Sequence, residues 1–137
     1  MRLRFNNVAL AVSDLERAVA WYGDVLGFTL AERGRFDAVG ADYAMIDGAG
    51  LRIELVCHTG GDFTPVDRTA PPHHLDVLGW KALVLEIDDL PAATARFTER
   101  GVEMVWAEMR ISVDRRGTML RDPDGNLIHI FGPRGLI

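Results

Sequence analysis

Two polar residues, Glu54 and His129, occupy matching places in short runs that otherwise have the composition of β-strands. Each follows a tight turn, at Asp47 and at Asp122, and both pairs of residues are 75 positions apart. Carboxylates and imidazoles are typical general acids and bases, and burial or a neighbouring charge can bring the pKa of either near neutral pH. A carboxylate beside the imidazole should raise its basicity. Glu54 and His129 are therefore the candidate catalytic pair.

Each member of this pair also has a structural interpretation that involves no catalysis. Glu54 could pair with Arg52, two positions away on the same strand, or simply face solvent. His129 could be a core histidine whose nitrogen atoms are hydrogen-bonded to neighbours. The sequence alone leaves both interpretations open.

The elements that position these residues form a repeat. A strand over 5–12 leads into a helix that begins with a capping box, in which the Ser13 hydroxyl and the Glu16 carboxylate bond backbone N–H groups, and Gly27 ends that helix. The same order recurs at a constant shift of 75 residues, with a second helix beginning at Asp88-Asp89. The predicted strands are 5–12, 28–36, 42–47 and 51–57 in the first copy, and 80–87, 102–109, 114–121 and 126–131 in the second.

This pattern predicts an α+β fold with two βαβββ modules that form a curved cleft. We expect one domain over residues 1–137, composed of module 1–57, linker 58–79 and module 80–137. The linker has no periodicity and contains glycine, proline and His73-His74. Repeated units of this kind usually bury a face that neither unit could bury alone.

Strand alternation predicts which side chains face the cleft, because successive residues of a strand point to opposite sides of the sheet. Ile53, Leu55, Ile128 and Ile130 should pack on the helices. Apolar walls with a few polar groups are typical of a small-molecule site. Arg52 could bind an anionic substrate group or neutralise Glu54. The substrate-binding candidates are Asn7, Arg52, Trp80, Glu86 and Phe131, beside the catalytic candidates Glu54 and His129.

Composition argues against several classes of partner. The formal net charge is −5 and no basic stripe is present, which disfavours nucleic acid. No apolar run approaches the ~20 residues of a membrane-spanning helix. The single cysteine, Cys57, cannot form an internal disulfide, and the N-terminus is not followed by an apolar run of signal-peptide type, so we expect a cytoplasmic protein.

Three segments of the sequence resemble the vicinal oxygen chelate superfamily, which includes glyoxalase I, methylmalonyl-CoA epimerase, extradiol dioxygenases, and fosfomycin- and bleomycin-resistance proteins. The segments are 7–18, 21–28 and 122–129. Together they are specific for the superfamily but do not select a member. The resemblance implies a small-molecule ligand or substrate and a homodimer.

The resemblance also implies four metal-ligand positions, which fall on Asn7, Glu54, Ala82 and His129. This sequence departs from the pattern at two of them, because Ala82 cannot ligate and Asn7 is a weak neutral donor. No metal or other cofactor is firmly implied, although Asn7, Glu54 and His129 could hold a divalent ion weakly.

Three hypotheses about function remain. The first is an enzyme in which Glu54 and His129 move a proton in isomerase, epimerase or lyase chemistry next to a carbonyl. The second is a protein that sequesters a small molecule without chemistry, as bleomycin-resistance proteins do. The third is a non-catalytic subunit or regulator.

Overall fold

The computed structural model describes residues 1–135 of the chain, which divides into two compact units, Met1–Thr64 and Pro65–Ile137. Within the described residues, each unit contains one four-stranded sheet and one α-helix. The predicted α+β class and the βαβββ order of both copies are therefore confirmed.

The first unit has its helix between the first and second strands. Its strand order across the sheet is β1-β4-β3-β2, with β1 parallel to β4 and the other neighbours antiparallel. Strand β1 is shorter than predicted. The elements are β1 (Val8–Ala11), α1 (Leu15–Leu26), β2 (Thr29–Phe36), β3 (Ala41–Gly48) and β4 (Leu51–His58).

The second unit repeats this arrangement with the strand order β5-β8-β7-β6, and β5 is parallel to β8. Before β5, the segment from Pro65 contains one short 3₁₀ turn, His73–Asp76. The elements are β5 (Ala82–Glu86), α2 (Leu90–Glu99), β6 (Met104–Ser112), β7 (Arg115–Arg121) and β8 (Leu127–Phe131).

The strand register confirms the repeat where it matters for the candidate residues. Ala9 is the neighbour of Glu54 across the β1–β4 pair, and Val84 is the neighbour of His129 across the β5–β8 pair. Ala9 and Val84 are 75 positions apart, and so are Glu54 and His129. Glu54 and His129 therefore occupy equivalent places in the two units.

The predicted equivalence of Asp47 and Asp122 is wrong by one residue. Asp47 pairs with Arg52, whereas Arg121 pairs with Leu127 at the corresponding place. The second turn is longer by one residue because Asp122 is used inside it. Its Oδ1 accepts the backbone N–H groups of Asp124 at 3.0 Å and Asn126 at 2.8 Å.

The helix boundaries follow side-chain capping. Asp14, not the predicted Ser13, caps α1, and its carboxylate accepts the Arg17 N–H at 3.0 Å. The predicted capping box is wrong because the Glu16 carboxylate pairs with Arg33 instead, at 2.6 Å. The predicted end of α1 at Gly27 is confirmed, since that residue has a φ of 76°, which glycine adopts without steric cost.

Each helix packs on one face of its own sheet. In the first unit, Ala44, Ile46, Ile53 and Leu55 are buried together in register on the strands that α1 contacts. In the second unit, the hydroxyls of Thr94 on α2 and Thr118 on β7 lie 2.7 Å apart.

Thr118 is paired with Ile130, so Ile130 faces α2, as predicted. Because side chains alternate along a strand, His129 points to the opposite face.

None of the helices within residues 1–135 is long and apolar enough to cross a membrane.

Candidate functional site

Glu54 and Asn7 lie together in the first unit. Asn7 immediately precedes β1, and its Nδ2 donates a hydrogen bond to Oε1 of Glu54 at 3.4 Å, which is long for such a bond. The side-chain oxygen of Asn7 accepts a hydrogen bond from the side-chain Nδ2 of Asn6. Asn7 therefore presents an N–H group, not an oxygen lone pair, to the carboxylate.

Arg52 does not neutralise Glu54. Its guanidinium binds Asp47 through two parallel hydrogen bonds, from Nε at 2.7 Å and from Nη2 at 2.8 Å. These bonds lower the pKa of the Asp47 carboxyl. Asp47 therefore binds the Nε–Nη2 edge of Arg52, the group that the sequence predicts to bind either Glu54 or an anionic substrate. Within residues 1–135, Glu54 forms no ion pair.

His129 lies in the second unit among aromatic rings, and its residue is 8% exposed. The imidazole meets the Trp106 and Phe131 rings edge to face, with ring centroids 5.4 and 4.6 Å away. Burial lowers the pKa of His129 to about 4. We predicted that a carboxylate would raise its basicity, but the dominant influence on this imidazole is loss of solvent, which disfavours the charged form.

The indole of Trp106 fixes the tautomer of His129. Trp106 Nε1 donates a hydrogen bond to Nε2 of His129 at 3.3 Å, and an indole N–H can only donate. Nε2 is therefore the unprotonated nitrogen, and the proton of the neutral ring resides on Nδ1. Nδ1 makes no hydrogen bond within residues 1–135. At neutral pH, His129 can thus offer an N–H donor.

Gly117 provides the space for this imidazole. A Cβ atom at position 117 would lie 2.5 Å from Nε2 of His129 and 3.2 Å from Cδ1 of Phe131. Gly117 is the register partner of Phe131 across the β7–β8 pair. The absence of a side chain on β7 is therefore what lets the histidine ring lie against the sheet.

A further cluster extends from Phe131 along the same sheet. The Arg115 guanidinium lies over the Phe131 ring, 4.7 Å from its centroid, and its Nη2 bonds Glu86 at 2.8 Å. Glu86 is the register partner of Phe131 on β5. The second unit thus brings together the predicted residues Glu86, Phe131 and His129.

The other predicted residues are placed differently. Trp80 precedes β5 and is fully exposed, and it makes no aromatic ring contact within the described part of the chain. Sequence reasoning missed Trp106, Arg115 and Gly117. The polar pair that indicates the site lies on β4 and β8, and nothing in the sequence of β6 or β7 alone marks these three residues as its neighbours.

The pKa of His129 makes stability depend on pH. Between pH 4 and 6.5 the unfolded chain holds a proton on this imidazole that the folded chain lacks, so the free energy of unfolding should rise with pH across that window. The rise in the free energy of unfolding should be on the order of 2–3 kcal/mol. Below pH 4 both states hold the proton, so this group should no longer make the stability depend on pH. Urea denaturation at several pH values measures it.

The His129→Asn variant is the control for this pH dependence, because all other titrating groups remain. We expect its stability profile to be flatter than that of the wild type over the same window. Parallel profiles would contradict the assignment of the low pKa to His129.

The comparisons with known proteins agree with this architecture. Residues 4–130 match the family model of the Glyoxalase/Bleomycin resistance protein/Dioxygenase superfamily. The chain belongs to this superfamily. The resemblance noted in segments 7–18, 21–28 and 122–129 is thereby confirmed.

Two known proteins are similar to the chain at low sequence identity. Human mitochondrial methylmalonyl-CoA epimerase is 24% identical over 125 residues, which cover 88% of this chain and 66% of that protein. The chain therefore spans just under two thirds of this relative's length. YaeR, an uncharacterized protein of Escherichia coli strain K12, is 26% identical over 129 residues, covering 92% of this chain and 93% of YaeR.

A solved structure shows the same fold. It is a glyoxylase/bleomycin resistance protein/dioxygenase domain from Frankia sp. EAN1pec, with a TM-score of 0.77 and 23% identity. The match covers 98% of this chain and 94% of that one.

The four superfamily metal positions of this chain do not fit a metal ion. Asn7 turns its N–H toward Glu54, and Ala82 has no donor atom. The Nε2 lone pair of His129 accepts the Trp106 N–H, which leaves only the protonated nitrogen of that ring. Within residues 1–135, no three His, Cys, Asp or Glu residues are grouped so that they could hold a metal ion.

Proposed function

We propose that the protein is an epimerase or isomerase that moves a proton at a carbon next to a carbonyl group. The observation that carries this proposal is the equivalence of Glu54 and His129 in register: each is the polar residue opposite the parallel first strand of its unit. Superfamily membership and the similarity to methylmalonyl-CoA epimerase support the same class of chemistry.

In the proposed mechanism, Glu54 is the base. Its carboxylate removes the proton from the carbon beside the carbonyl, and the electron pair of the C–H bond moves onto the carbonyl oxygen to give an enolate. Because Asp47 holds Arg52, the Arg52 guanidinium does not compete for the Glu54 lone pairs. Asn7 orients the carboxylate through its N–H. When Glu54 returns the proton to the face from which it was taken, the starting compound is regenerated, and when solvent water protonates the opposite face of the enolate, the epimer is formed.

His129 is the proposed hydrogen-bond donor to the enolate oxygen. A pKa of about 4 makes this imidazole a poor base at neutral pH, but its neutral Nδ1–H can stabilise negative charge that develops on the substrate. A donor held in place before the reaction stabilises the transition state without reorganisation. The aromatic contacts with Trp106 and Phe131 hold the ring in this way.

Hydrogen exchange in heavy water tests the proposal directly. The protein is incubated in D₂O with methylmalonyl-CoA, and with other carboxylic acids and thioesters that carry one exchangeable proton beside a carbonyl. We expect the enzyme to catalyse incorporation of one deuterium into at least one of these compounds, detected by mass spectrometry. No exchange above the uncatalysed rate with any compound would overturn the proposal.

A second candidate function is sequestration of a small molecule without chemistry. The observation that favours it is the aromatic cluster of Trp106, His129 and Phe131, whose histidine is neutral and already hydrogen-bonded. Calorimetry should then show tight stoichiometric binding of a compound that is recovered unchanged. Formation of an isotopically labelled product distinguishes the first function from this one.

We also propose that the chain is a single domain with modules 1–57 and 80–137 joined by linker 58–79, and that it is a cytoplasmic homodimer. Apolar side chains on or beside the edge strands β1 and β5 are exposed, which supports association with a second copy. The single Cys57 is consistent with a reducing compartment. Sedimentation equilibrium gives the mass of the particle in solution.

A further inference from the structure

Arg115 is a nearly buried cation whose surroundings hold its guanidinium in place. Its side chain is 12% exposed, its Nε donates to the Gly132 carbonyl at 2.9 Å, and its plane lies over the Phe131 ring. Nη1 makes no hydrogen bond within residues 1–135. A guanidinium held on one edge in this way presents its terminal nitrogens as a fork for a planar anion.

The carboxylate that is now bound to one nitrogen of this fork, Nη2, is largely solvated. Nη2 of Arg115 bonds Oε2 of Glu86 at 2.8 Å, but the Glu86 side chain is 73% exposed. Ion pairs with one solvated, mobile partner contribute little, because holding a long side chain in one rotamer costs entropy and water competes for the carboxylate. Glu86 can therefore rotate into solvent while Arg115 stays fixed on Phe131.

Arg115 is also connected to the candidate site through a single ring. Phe131 contacts the Arg115 guanidinium at 4.7 Å and the His129 ring at 4.6 Å, both measured between centres. Phe131, His129 and Glu86 share one face of the second sheet, since Glu86 pairs with Phe131 in register and His129 is two residues away on the same strand. A small molecule that contacts His129 has the Phe131 edge and the guanidinium beside it.

We propose that Arg115 is the binding site for a carboxylate of the substrate, and that the Glu86 carboxylate occupies this site when substrate is absent. The substrate is then a small carbonyl compound that bears a carboxylate a few bonds from the carbonyl oxygen that His129 contacts. This inference rests on the proposed function for the identity of the reaction, but the anion site itself is independent of catalysis. It also assigns to Arg115 the anchoring role that the sequence suggested for Arg52.

Titration with malonate, a small dicarboxylate, tests the site on the whole chain. Binding is followed by NMR at low ionic strength, using the backbone amides of residues 115–117 and 131 and the indole N–H of Trp106. We expect saturable binding to the wild-type protein. Glu86→Gln should bind malonate about fivefold more tightly, because the substitution removes a competing carboxylate that is itself largely solvated and therefore weakly held.

Two further variants make the result specific. Arg115→Lys keeps the charge but loses the fork, and should weaken malonate binding about tenfold or more, the loss typical of a charge-assisted hydrogen bond. Glu16→Gln is the matched control, since Glu16 is 72% exposed and pairs with Arg33, an arginine that is itself 44% exposed. This substitution should leave the affinity unchanged.

The outcomes separate this inference from the proposed function. The inference is overturned if malonate does not change the chemical shifts of the backbone amides of residues 115–117 and 131. It is also overturned if Glu86→Gln binds malonate no more tightly than the wild type, or if phosphate competes for the site as well as malonate does. Malonate binding at Arg115 in a protein that catalyses no deuterium exchange would remove the proposed reaction and leave the anion site. Exchange of a carboxylate-bearing substrate with a KM that Arg115→Lys does not change would leave the proposed reaction and remove Arg115 as the site of the substrate carboxylate.

Discussion

Replacing Glu54 with Gln is expected to lower the rate of deuterium exchange by about 10²-fold or more, the contribution typical of a positioned general base. Gln has nearly the same shape and can still accept the Asn7 N–H, so the substitution removes the basic oxygen with little other change. The rate is measured with saturating substrate by mass spectrometry. Thermal unfolding of the variant should be close to that of the wild type.

Glu32→Gln is the control for loss of a negative charge from the same sheet. Glu32 is an exposed residue of the edge strand β2, and we expect its substitution to change the exchange rate by no more than about twofold. If both variants lose activity equally, the effect is one of net charge. If Glu54→Gln exchanges at the wild-type rate, Glu54 is not the base.

The elements of the fold were readable from the sequence because they depend on local signals. These signals are the turn residues, Gly27 and the apolar periodicity, and each depends on only a few neighbouring residues. The repeat provides a second copy of the same order of elements. The error at the start of α1 arose because two neighbouring residues could fill the same role. Asp14 and Ser13 can both cap a helix, and the choice between them depends on whether the chain places the oxygen near the Arg17 N–H.

The candidate site was only partly predictable, because its chemistry depends on contacts between strands distant in sequence. Strand alternation placed His129 on the correct face, but nothing local indicates that the Trp106 indole reaches its Nε2. The partner of Arg52 illustrates the same limit. Asp47 lies opposite Arg52 across a hairpin. Its carboxylate is therefore closer to the guanidinium and better aligned with it than the carboxylate of Glu54, two positions along the strand.

The tautomer of His129 connects these contacts to function. Glu54 was predicted to activate the imidazole as a base, whereas burial and the Trp106 N–H instead favour a neutral ring that donates from Nδ1. The same hydrogen bond occupies the nitrogen that a metal ion would use. A single indole therefore bears both on the poor fit of a metal ion at this position and on the role proposed for the histidine.

Replacing Gly117 with Ala is expected both to destabilise the protein and to lower the rate of deuterium exchange. The added Cβ would lie 2.5 Å from His129 Nε2, well inside contact distance, and the ring cannot move away without losing its contacts with Trp106 and Phe131. Overpacking of this kind typically costs about 1–3 kcal/mol, which urea denaturation measures. The exchange rate should fall about tenfold or more, because small displacements of a positioned donor are costly.

The double variant Gly117→Ala/His129→Ala distinguishes this collision from a general loss of strand structure. Removing the imidazole removes the atom that the new methyl group meets, so Gly117→Ala should cost at least about 1 kcal/mol less in the His129→Ala background than in the wild type. The Trp106 indole N–H resonance reports the hydrogen bond independently and should move upfield in the single variant. An unchanged resonance with unchanged stability would mean that the ring accommodates the methyl group without losing the Trp106 hydrogen bond, and would contradict the predicted collision.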